Sequence, residues 1–246
     1  MLNLVLSLAF GVVTTLVLWL PGWLSGGEAS VPGVLVAVGS YVWLARRTFK
    51  QMETLFIESA SHLQRVPPNF ELAIGGLERA YPFARWQFGV KSQIDTQIGV
   101  IYFLQQELNK ALPYLERSLG FGHWLGGAML GVVYYKKKDH EQMKKTFELV
   151  TRKAKKQGLV WSLYAYLLCQ IGETATAQAR LAEGAKHNPG DEILKENLLA
   201  LQNDKKMKMK GYKEQWYQFQ LEKLPAQLAQ PQMFGRGNRA AVRGRW

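Results

Sequence analysis

From residue 2 to residue 20 every position is apolar except Asn3, Ser7, Gly11, Thr14 and Thr15. At 1.5 Å per helical residue this run spans ~28 Å, close to the ~30 Å thickness of a bilayer's hydrocarbon layer. Pro21 and Gly22 end it, and Trp19 and Trp23 stand where an interfacial aromatic belt would lie. A second run, residues 31–45, reaches only ~22 Å as a helix. Adding Ala29, Ser30 and a snorkelling Arg46 completes a span. The pattern predicts a transmembrane helical hairpin over residues 1–45, in competition with a single anchor plus a re-entrant stretch, or with a cleaved signal peptide. A signal peptide needs a basic amino-terminal region and a shorter apolar run, and Met1-Leu2-Asn3 has no basic side chain.

Beyond residue 45 the pattern changes to a helical period. Residues 46–66 place Phe49, Met52, Leu55, Phe56, Ala60 and Leu63 on one stripe before Pro67-Pro68, and a second helix is predicted over residues 70–81, stopped by Pro82. From residue 92 onward the chain repeats itself at spacings of 32 and 34 residues. Ile98-Gly99-x2-Tyr102 with Ala111, Leu115 and Ser118 aligns with Leu130-Gly131-x2-Tyr134 with Met143, Phe147 and Val150. The third copy is Trp161-x2-Tyr164-Ala165-x2-Leu168, followed by Ala177, Leu181, Gly184 and Pro189.

These residues resemble the tetratricopeptide repeat (TPR) family over residues 92–191, with a degenerate unit at 54–91. Met143 replaces the small residue of the second helix, and His123 and Lys155 stand where the first two units would end in proline. The resemblance implies three helix–turn–helix units, and the stripe Leu194, Leu198 and Leu201 fits the solvating cap helix that terminal repeats need. The expected fold is all-α. It has a membrane hairpin at 1–45, juxtamembrane helices at 46–91, a TPR-like solenoid with its cap at 92–203, and a basic tail at 204–246. A plain helical-hairpin bundle is the competing architecture.

Charge completes the picture. The 246-residue chain carries 31 Lys and Arg against 19 Asp and Glu, and none of the basic residues precedes Arg46. Basic side chains resist translocation, so the uncharged-to-acidic turn at 21–30 is expected outside, with Arg46, Arg47, Lys50 and both termini in the cytoplasm. A single cysteine, Cys169, excludes an internal disulfide and any multi-cysteine metal centre. The layout is similar to bacterial inner-membrane proteins that combine an amino-terminal anchor with cytoplasmic TPRs. The lipopolysaccharide-assembly regulators are one such group, but they carry a four-cysteine module this chain cannot form.

Chemistry is sparse. His62, His123, His140 and His187 fall in separate segments, and Gly120-Phe-Gly122 lacks the strand and lysine of a phosphate loop. No catalytic, metal or cofactor site is expected. Binding has more support. By the resemblance, a groove for a protein partner is lined by Thr96, Val100 and Phe103; Ala128, Val132 and Tyr135; and Ser162, Tyr166 and Cys169, a largely apolar set with three aromatics. Either an apolar peptide or another part of the same chain would cover it. Lys145, Arg152 and Lys156 share a helical face that is either simply solvated or drawn to anionic lipid. Residues 204–246 hold ten basic and three acidic side chains. Tyr212, Trp216 and Phe219 are expected on one face of an amphipathic helix that folds over the groove or leaves the tail free. Residues 235–246, rich in Arg and Gly, are expected to be disordered and would suit nucleic acid, a less favoured partner.

Overall fold

The computed structural model describes residues 1–223; every helix and strand assignment among them is helical. The expected disorder of residues 235–246 lies outside the described residues. The chain divides into two compact units at Ile94–Asp95.

In the first unit, Leu2–Trp19 forms α1 and Gly26–Leu63 forms α2. Ser25 starts α2 with a capping box, in which its side chain accepts from the Glu28 amide and its own amide donates to the Glu28 carboxylate. Both helices are long and apolar enough to cross a membrane. The expected break near residue 45 is absent, because α2 runs on for 38 residues, ~57 Å. The reason is local: residues 40–63 contain neither proline nor glycine. Arg46, Arg47 and Thr48 change the polarity of the helix surface without disturbing its backbone.

The contact face of the hairpin is built from small and polar residues. Asn3, Ser7 and Gly11 are buried on α1, and Ala29, Gly33 and Thr48 on α2. A β-carbon at Gly11 would lie 2.7 Å from the Gly33 carbonyl oxygen, so the backbones touch where both residues are glycine. At one end Asn3 donates to Thr48 Oγ1 at 3.0 Å and Gln87 Oε1 at 3.2 Å, and Gln87 donates to the Tyr41 hydroxyl at 2.9 Å. Phe70–Glu78 forms α3, with Gly76 against Ser59 of α2. The helix predicted over 70–81 stops earlier, and Tyr81–Arg85 makes a separate 3-10 turn. Proline cannot donate within a helix interior, but it is tolerated in a first turn, which is where Pro82 sits.

In the second unit the repeat seen in the sequence is a repeat of structure. The helices are α4 (Val90–Leu104), α5 (Leu108–Ser118), α6 (Trp124–Lys136), α7 (His140–Lys153), α8 (Gly158–Gln170), α9 (Thr174–His187) and α10 (Glu192–Gln202). Three of the first helices end with the same motif. Gln106, Lys138 and Gly172 adopt left-handed backbone with φ of 63°, 61° and 88°. The next amide reaches back five residues each time: Glu107 to Tyr102 at 3.0 Å, Asp139 to Tyr134 at 3.0 Å and Glu173 to Leu168 at 2.9 Å. These pairs keep the spacing of 32 and 34 residues.

The small residue of each first helix lets the second helix close in. A β-carbon would lie 2.7 Å from Leu115 Cδ2 at Gly99 and 2.3 Å from Phe147 Cε2 at Gly131. Ala165 and Leu181, both fully buried, hold the equivalent positions of the third pair. Successive pairs are tied by tyrosine hydroxyls, Tyr134 donating to Glu116 at 2.6 Å and Tyr164 to Glu148 at 3.0 Å.

The motif occurs a fourth time. Asp204 has φ 53°, and the Lys205 amide donates to the Ala200 carbonyl at 2.8 Å, 32 residues after the third occurrence. The helix expected as a cap, α10, therefore has the register of a fourth first helix. Among the described residues no full-length second helix follows it. Asn197 stands at the position of Gly99, Gly131 and Ala165. It contacts Met209 Sδ at 3.8 Å and accepts from the Lys208 amide at 2.6 Å.

Gly131→Ala forces a methyl group into the fully buried Phe147 ring, and a loss of ~1–3 kcal/mol in stability is expected from denaturant unfolding. Gly120→Ala, where no atom of the described residues lies within 4 Å, is expected to be neutral. At the left-handed turns, Gly172→Ala is expected to cost ~1 kcal/mol, whereas Lys138→Gly is expected to be neutral or stabilising.

Candidate functional site

The nine predicted groove residues lie on α4, α6 and α8, three to a helix. Thr96, Phe103, Ala128, Val132 and Ser162 are buried, whereas Val100, Tyr135, Tyr166 and Cys169 are half-buried. The structure brings the aromatic members into one apolar cluster, which also contains Met209, Trp216, Tyr217 and Phe219. The groove is thus not an open channel, because residues 207–221 of the same chain lie in it.

The path of this segment is defined by its contacts. After Met209 meets Asn197, Gly211 lies against Ile193 of α10. The Tyr212 hydroxyl is 2.8 Å from Ser162 Oγ of α8 and donates weakly to the Asp191 carboxylate at 3.3 Å. Trp216 packs edge-on to Tyr166 of α8 with ring centroids 4.9 Å apart. Gln220 donates to the Leu104 carbonyl of α4 at 2.9 Å. The chain therefore crosses from α10 past α8 to the end of α4.

Its conformation differs from the amphipathic helix expected. Met209–Tyr212 is a 3-10 turn and Glu214–Tyr217 (α11) is a single helical turn. Lys213 breaks the segment at φ 51° and ψ −131°. Tyr212, Trp216 and Phe219 still converge on the groove, because the bend redirects the chain between the two turns. Trp216 and Phe219 have no solvent exposure at all.

The groove is apolar with a few polar handles: the Ser162 hydroxyl, the Asp191 carboxylate and the Leu104 carbonyl. Burial pushes the Tyr212 phenol far above its ordinary range; the Ser162 hydrogen bond works the other way, and the Asp191 carboxylate adds to the rise. Burial likewise raises Tyr166 and the Cys169 thiol, which holds Cys169 as a thiol rather than a nucleophilic thiolate. Sequence reasoning missed Asp191, Asn197, Met209, Tyr217 and Gln220 as contributors. The fourth copy of the turn at Asp204 is the signal that would have pointed to them.

The other predicted surface is less regular than expected. Lys145 and Arg152 are exposed on α7, but Lys156 lies in the turn after the helix. Arg152 and Lys156 border a cleft of about 610 Å³ floored by Leu119, Trp124 and Val150. Lys153 at its rim is occupied, donating to the Leu119 and Gly120 carbonyls at 2.6 Å each, where it closes the end of α5. Gly120 and Phe121 form the loop before α6, as expected, with the His123 imidazole accepting from the Leu125 amide at 3.3 Å. Among the described residues no group of three or more His, Cys, Asp or Glu side chains is arranged to hold a metal ion.

Trp216→Ala is expected to cost ~3–5 kcal/mol by thermal or denaturant unfolding, and to open residues 205–221 to protease. Trp216→Phe is expected to cost much less. It keeps most of the apolar contact and removes an indole N–H that is buried without a hydrogen-bond partner among the described residues.

Compared with protein-family models, curated proteins and solved structures, the chain matches none.

Proposed function

We propose that the protein is a non-enzymatic, membrane-anchored scaffold that holds a protein partner at the cytoplasmic face of a bacterial inner membrane, using a TPR-like stack of helix pairs. The observation that carries the reading is the inverted packing of α1 and α2. Their shared face is Asn3, Ser7, Gly11, Ala29 and Gly33, while Val5, Phe10, Val12, Val34, Leu35, Val38 and Trp43 point outward and are at least half exposed. In water such a surface would be strongly disfavoured, at ~25 cal/mol per Å² of apolar area. In lipid it is matched, and the small residues supply the close approach that membrane helices use.

Orientation follows from charge. Arg46, Arg47 and Lys50 continue α2 beyond its apolar half, and Asn3 meets Thr48 at that same end of the hairpin. With these groups at the inner interface, both termini lie in the cytoplasm. Anchoring then acts by raising the local concentration of whatever the helical unit binds. A scaffold is favoured over an enzyme because the groove gathers apolar rings and isolated hydrogen-bonding groups, with no nucleophile–base pair among its named residues.

The alternative, a membrane-associated RNA- or ribosome-binding protein, keeps the ten basic residues of 204–246 as its support. It is the weaker reading because stacking on bases needs exposed rings, and Trp216 and Phe219 are fully buried.

The test is made in intact cells with a photo-crosslinking residue at position 135 or, as a control surface, at position 145. The scaffold reading expects one discrete protein adduct from 135, with the full chain retained in membranes after alkaline extraction and released when residues 1–45 are deleted. Release of the intact full chain by the extraction, or adducts only to RNA, would overturn it.

A further inference from the structure

We propose that residues 207–221 are a built-in competitor for the groove, and that the scaffold's partner is a short, turn-forming peptide segment whose two aromatic anchors replace Trp216 and Phe219. This rests on the scaffold reading and names the partner class it requires. The segment sits in the groove as a ligand would. Trp216 and Phe219, three residues apart, fill the apolar floor, and single polar contacts to Ser162 and Leu104 flank them.

Two features make the segment replaceable. First, its fit is incomplete. Among the described residues, Trp216 Nε1 and Gln220 Oε1 are buried without hydrogen-bond partners. A buried polar atom left unpaired lowers the stability of the arrangement that holds it. Second, the backbone is strained where the segment bends and ends. Lys213 and Gln220 adopt φ of 51° and 52°, and neither is glycine. An incoming peptide with unstrained backbone and a phenylalanine in place of Trp216 avoids both penalties. The covalent link opposes it, since a short tether presents the cis segment at millimolar effective concentration. Affinity for a partner is therefore set by the difference between two similar occupants, and lengthening or cutting the tether strengthens partner binding.

The exposed stretch at 204–206 allows a direct test. A protease site is inserted there in the full chain, which is purified in detergent or nanodiscs, and the probe is a fluorescent peptide of residues 205–223. The intact protein is expected to bind the peptide at least tenfold more weakly than the cut protein, from which the cis segment can dissociate. Trp216→Ala in the uncut chain is expected to raise peptide affinity in the same direction. A peptide carrying Ala at both anchor positions should bind neither form. The inference is overturned if cutting leaves the segment bound without exchange, or if the repeat unit unfolds once cut, because the segment is then a structural part of the fold. It is also overturned if uncut chains form stable dimers with crossed segments, which would assign the groove to a second copy. A cellular partner that crosslinks at position 135 with equal yield before and after cutting would sink the competitor while leaving the scaffold reading intact.

Discussion

The helical unit depends on keeping its stacked first helices out of water. Small residues at Gly99, Gly131 and Ala165 bring each second helix close on one side, while on the other Ser162 and Tyr166 of α8 and the end of α4 meet residues 207–221. That other side is mostly apolar, and exposed apolar area of this kind favours association with something. In this chain the something is covalently attached: Trp216 and Phe219, drawn in by the same hydrophobic force that folds the repeats. The fourth left-handed turn at Asp204 is what sends the chain there. Where the earlier units continue into a second helix, the lysine-rich stretch after Asp204 has no apolar stripe to bury and passes instead to Asn197 and the groove.

The first unit, whose two helices are long and apolar enough to cross a membrane, reverses this arrangement. Glycine permits close approach in both units, of backbone to backbone at Gly11–Gly33 and of backbone to an aromatic ring at Gly131–Phe147. In the hairpin the large side chains face outward; in the repeats they face inward. Composition decides which, since the first 45 residues carry no Lys or Arg and the repeats carry many.

Much of the repeat architecture was legible in the sequence because it rests on spacing. The pairs Gly99/Leu115 and Gly131/Phe147 could be aligned without coordinates, and the helix pairs follow that register. The continuity of α2 was not legible. A change from apolar to basic at Arg46 looks like a boundary, but charge alone does not stop a helix, and neither proline nor glycine lies between residues 40 and 63. The path of the tail was hidden for a related reason. Lys213 and Gln220 take left-handed backbone without the glycine or asparagine that normally signals it, so the spacing of Tyr212, Trp216 and Phe219 looked helical. The nine residues expected to line a groove lie on α4, α6 and α8, but a list of lining residues does not reveal that distant residues of the same chain will pack against them.

The most direct measurement is amide hydrogen exchange on the full chain in bilayer nanodiscs, read at Lys208, Trp216 and Phe219 beside α8. All three amides are hydrogen-bonded, Lys208 to the Asn197 side chain and the others within the segment. The account predicts that they are protected well above unfolded rates, yet exchange before the core of α8, because the segment leaves the groove without unfolding the repeats. Exchange at unfolded rates would show that the segment does not occupy the groove. Loss of protection together with α8 would show that it never leaves alone, and either result would contradict the account.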